Sequence, residues 1–148
     1  MVTSTAGGYR LFDSIVTPGA LGTVATREGL AHRVITALSF DSGQVHYMSY
    51  AWQHDTTTAY ETQVAPATFA TVDSAAEGLA ASGYMLTAFG GDSADGFIFV
   101  GTRAKGATAP RALQIDPAHG ADLTGYAPVA YLFQITSAGL TTKLIFER

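Results

Sequence analysis

The stretch from Val34 to Trp52 constrains the fold more than any other part of the chain. Two runs rich in β-branched and aromatic residues, Val34 to Phe40 and Val45 to Trp52, flank Asp41-Ser42-Gly43-Gln44, whose Gly can take the positive φ of a tight turn. The spacing predicts a hairpin. With Phe40 opposite Val45, Leu38 falls opposite Tyr47, Thr36 opposite Ser49 and Val34 opposite Ala51 on one face. The other face then carries Ile35, Ala37, Ser39, His46, Met48, Tyr50 and Trp52. Both faces are substantially apolar, so the pair needs a covering layer on each side: a helix on one, and a subunit or ligand on the other.

Period-two patterning recurs at Tyr9 to Val16, Tyr60 to Val64, Tyr84 to Phe89, Phe97 to Arg103, Ala112 to Ile115, Ala127 to Ile135 and Thr141 to Glu147. One segment, Thr71 to Ser82, has helical period through Val72, Ala76 and Leu79. Thr71 or Asp73 is placed to cap its start, and Gly83 to end it as a left-handed residue. Thr23 to His32 reads equally as a strand with a loop or as a helical turn. The expected fold is α+β, a single domain over 1–148: an antiparallel sheet of about six to eight strands built from hairpins, with one principal helix packed on it. Gly83-Tyr84 with Arg103 is echoed by Gly125-Tyr126 with Arg148, as in a duplication, yet no second helix of matching quality precedes Gly125.

Charge excludes several functions. Charged residues make up 14% of the chain, against about 25% in ordinary domains, and the net charge is -4 with only two lysines, Lys105 and Lys143. A chain so poor in cations is not expected to bind a nucleic-acid backbone. Its longest apolar runs are strand-sized, so membrane insertion is not expected either. The opening Met1 to Gly8 has neither a basic nor an apolar signal region, which leaves a cytoplasmic protein or an exported one already processed. With no Cys there are no disulfides, thiolate nucleophiles or cysteine metal sites.

The residues Leu79-Ala80-Ala81-Ser82-Gly83-Tyr84-Met85-Leu86-Thr87, followed by Phe97-Ile98-Phe99, resemble short bacterial domains of unassigned function. In those domains a helix, a Gly-aromatic stop and a hairpin ending in a basic residue follow one another. The resemblance covers about residues 71–103 and implies this local fold, but no activity.

The candidate site is His46, Tyr50, Trp52, His54, Asp55 and Glu61. On an extended strand His46, Met48, Tyr50, Trp52 and His54 project to one side, a polar-aromatic wall suited to stacking a ring and hydrogen-bonding its edge. The opposing expectation packs Met48, Tyr50 and Trp52 under the helix. His46 and His54 with Asp55 or Glu61 do not have a recognised metal spacing, and no metal or cofactor is expected. No Gly-x-Ser-x-Gly elbow occurs, and Asp92 to Gly96 lacks the alternating ligands of a calcium loop. The expected function is therefore that of a non-catalytic module that binds a ligand or partner and self-associates. The alternative is a cofactor-independent hydrolase or isomerase using His46 or His54 with Asp55 or Glu61.

Overall fold

A computed structural model describes the backbone of residues 2–6, 9–52 and 55–148, and side chains from 13 to 51 and from 55 onward. The expected class is present, antiparallel sheets with helices packed on them, but among the described residues the strands divide among three sheets and there are two helices. The first sheet holds β1 (Val2–Ala6), β2 (Tyr9–Val16), β4 (Gln44–Trp52) and β3 (Val34–Asp41), in that spatial order. The second holds β5 (Tyr60–Ala67), β7 (Gly96–Ala104) and β6 (Met85–Asp92); the third holds β8 (Leu113–Ile115), β10 (Gly139–Glu147) and β9 (Ala127–Thr136). Helices α1 (Pro18–Leu30) and α2 (Val72–Ala81) follow β2 and β5.

One pattern runs through all three sheets: a strand, a connection, then a hairpin whose second strand lies in the middle. In each hairpin the pairing skips one residue, Thr36 in β3, Thr87 in β6 and Val129 in β9, and an alanine follows each skip. Each hairpin is entered two residues after a left-handed residue: His32 at φ 58°, Gly83 at 80° and Gly125 at 81°. From Tyr9 to Ser42 the first unit runs parallel to the second at a constant offset of 51 positions, with Thr36-Ala37 matching Thr87-Ala88 and Asp41-Ser42 matching Asp92-Ser93. The echo between Gly83-Tyr84 and Gly125-Tyr126 thus extends to a threefold repeat, and the third unit has turns over 116–126 where the others have a helix.

The bulge at Thr36 corrects the expected register. Ile35, not Thr36, lies opposite Ser49, and Val34 lies opposite Tyr50 instead of Ala51. One extra residue reverses the alternation beyond it, so Ile35 turns inward and is fully buried.

Each helix serves two sheets. Leu21, Val24 and Ala25 of α1 pack on Ile35, Val45 and Tyr47 of the first sheet and on Ile98 and Val100 of the second. Val72, Ala76 and Leu79 of α2 pack on Phe97 and Phe99, from the opposite face of β7, and on Ala130, Leu132 and Ile145 of the third sheet. Helix α1 thus lies between the first and second sheets and α2 between the second and third, the first two sheets also meet directly at β3 and β6, and β7 is buried on both faces. Two glycines allow the close approaches this requires. A Cβ at Gly29 would sit 2.4 Å from the Tyr60 carbonyl oxygen, and one at Gly90 would sit 2.5 Å from that of Leu38.

Both helices end in the same hydrogen-bonded stop. The Gly83 N–H donates to the Ala80 carbonyl at 2.9 Å and that of Tyr84 to Leu79 at 3.0 Å; His32 and Arg33 make the corresponding bonds to Gly29 and Glu28 at 3.1 and 2.9 Å. Gly83 therefore has the predicted role; Thr71 holds the N-cap position of α2 but its side chain caps no helical N–H, its Oγ1 accepting instead from the preceding Thr68 N–H at 2.9 Å.

Candidate functional site

Because α1 covers the face of β4 carrying Val45, Tyr47 and Ser49, the alternate residues His46, Met48 and Tyr50 face away from it. The described part of the polar-aromatic wall, His46, Met48 and Tyr50, is thus on the outer face of the first sheet, not under the helix. His46 is exposed and lies between Ile15 of β2 and Ser39 of β3; Met48 lies between Asp13 and Ala37. Asp13, Ala37, Leu38, Ser39, His46, Tyr47 and Met48 line an open depression of about 240 Å³. That is below the roughly 300–1,000 Å³ of drug-sized ligand sites, and leaves room for one ring or one inserted side chain.

Of the remaining candidates, Trp52 continues β4 in the same alternation, but its side chain, like the whole of His54, lies outside the described residues. Asp55 closes the turn that follows: its Oδ1 accepts from the backbone N–H groups of Thr57 and Thr58 at 3.1 and 2.9 Å. Those bonds, that to Thr58 foremost, push its carboxyl down to about 2. The Tyr60 hydroxyl also reaches Asp55, and burial together with that negative charge raises the phenol. Glu61 is on β5 of the second sheet, where the Arg103 guanidinium holds it at 2.7 Å. The structure thus brings His46 and Tyr50 onto one sheet face with Met48, and places Glu61 on another sheet, already paired.

The buried carboxylates are structural. Glu28, in the last turn of α1, receives a two-pronged bond from Arg33 and one from the Ser49 hydroxyl at 2.6 Å. Burial acts to raise its pKa, but these donors outweigh burial and hold the carboxyl below its ordinary range. Glu147 is paired with Arg111 and accepts from the Leu86 N–H at 2.8 Å, joining the second and third sheets. Arg103 stacks over Tyr84 at 4.4 Å and Arg148 over Tyr126 at 4.9 Å, so the repeated Tyr and Arg are partners in the second and third units, worth about 0.5–1 kcal/mol per pair. Among the described residues, no group of three or more His, Asp or Glu is arranged to hold a metal ion.

A second surface was not singled out from the sequence. On the third sheet Tyr131, Phe133 and Ile135 of β9 and Leu140 and Leu144 of β10 are 38 to 71% exposed. Its signal is the period-two alternation of Tyr131, Phe133 and Ile135 in the last hairpin. No family model, curated protein or solved structure matches the chain.

Proposed function

We propose that this chain is a non-catalytic binding module that self-associates, and that it receives a single ring or side chain of its ligand or partner on the outer face of the first sheet. The observation that carries this reading is the face of β4 turned away from α1, where exposed His46 and half-buried Met48 and Tyr50 line up beside a shallow depression. An imidazole, a thioether and a phenol together offer apolar contact with hydrogen bonding at the edge. The hydrolase or isomerase reading is weaker because Asp55 is committed to its turn and Glu61 to Arg103.

Titration with indole and with phenol, followed by NMR of the Met48 methyl and His46 ring, tests the proposal. Shifts confined to these signals and to Tyr50, with affinities of about 1 mM, are expected, together with weaker binding in His46→Ala. No shift at about ten times that concentration would overturn it. So would turnover of p-nitrophenyl acetate that His46→Ala abolishes, in favour of the enzyme.

A further inference from the structure

The repeat shows what the third sheet lacks. In the first two units, the face bearing Val45 and Tyr47, or Phe97 and Phe99, is covered by that unit's own helix. The positions that correspond in β10, by hairpin register, are Thr142 and Leu144. No helix precedes this hairpin within its unit, and Leu144 and its cross-strand partner Tyr131 are 38% and 54% exposed. Ile135 and Leu140, also directly opposite each other, are 71% and 64% exposed.

We infer that the outer face of β9 and β10 is a self-association surface, occupied by the same face of a second copy of this chain in a twofold dimer. Two observations select that occupant. The first is charge: Lys143 and Glu147 are the only charged residues in the two strands, and both turn toward the α2 side, to Asp73 and to Leu86. Two copies of these strands therefore meet without burying a strand charge, and the nearest carboxylate, Asp116, which accepts from the Leu144 N–H at 2.7 Å, is itself exposed. Docking it on the outer face of the first sheet would desolvate Asp13 and His46 and, repeated head to tail, would leave an open filament rather than a closed dimer.

The second is area. Taking roughly 150–250 Å² for a large side chain, the five exposed residues offer about 500 Å² per copy and about 1,000 Å² per pair before the polar rim is added. That reaches the lower bound of a specific interface, in the aligned packing of two sheets.

The inference rests on the self-associating part of the proposed function, and ring binding at His46 is read separately: a monomer that still binds indole would sink the dimer alone. The test is sedimentation velocity of the full chain up to about 100 μM. A species of twice the 15.4 kDa chain mass is expected. Ile135→Glu with Leu140→Glu, at positions already open to water, is expected to weaken the dimer at least about 100-fold while leaving the circular dichroism melt in place. Ile15→Glu, on the outer face of the first sheet, is expected to leave it intact. A wild-type monomer at the highest concentration overturns the inference. A dimer indifferent to the β9–β10 variant, or an assembly that Ile15→Glu disrupts, overturns it equally.

Discussion

Replacing Glu28 by Gln keeps the size of a buried side chain and removes its charge. In the native protein its two oxygens take both prongs of Arg33 and the Ser49 hydroxyl, and its side chain is 3% exposed. Breaking one partner of a fully buried pair costs about 3–5 kcal/mol. The Arg33 side chain is 20% exposed and can recover some hydration, so a loss of about 2–3 kcal/mol is expected at pH 7. For a chain of this length that lowers Tm by about 5–10 °C.

The effect carries a sign in pH. Folding depresses the Glu28 carboxyl, so its contribution is present above the unfolded value near 4.5 and is lost as pH falls through the lower folded value. Urea unfolding of both proteins at pH 7 and pH 3.5 should show the gap narrowing in acid, because below about 4.5 the unfolded carboxyl takes up a proton that folded Glu28 resists, whereas Gln takes up none. A variant within about 0.5 kcal/mol of wild type at pH 7, or a gap that stays constant with pH, would refute the reasoning.

Further predictions concern backbone and turn. Gly83→Ala should cost about 2 kcal/mol or more in chemical unfolding, since φ is 80° and the new Cβ would lie 2.9 Å from the Ala109 oxygen. Gly90→Ala should lose about 1–3 kcal/mol by driving a methyl group into the Leu38 carbonyl; equal stability would mean that the first two sheets can move apart freely. The Asp55 carboxyl carbon, followed by NMR, should titrate at about 2, and a midpoint near 4 would remove the hydrogen-bonded turn.

Much of the hairpin architecture was legible in the sequence. Alternation and Gly43 place β3 and β4, and Val72, Ala76, Leu79 and Gly83 place α2. Helix α1 was not resolved, because Gly19, Gly22, Thr23, Thr26 and Gly29 are poor helix formers. What makes it a helix is burial between two sheets, and Gly29 is there because Tyr60 leaves no room for a Cβ. The bulge at Thr36 was invisible for a different reason: an inserted residue preserves composition while reversing direction, so Ile35 was assigned to the wrong face. Of the candidate site, strand periodicity placed His46, Met48 and Tyr50 together correctly. Nearness in sequence misled for Glu61, because a change of sheet intervenes after Asp55.

The two-sided burial of β7 sets how the molecule comes apart. Neither end can be peeled away without wetting this strand, Val100 on one side or Phe99 on the other, and each helix belongs energetically to two neighbours. Stability is therefore graded along the stack, and loosening travels inward from its ends as in a one-dimensional array. Slow amide exchange is expected to gather at the centre, in the unit whose middle strand is covered on both faces, and faster exchange in the outer sheets.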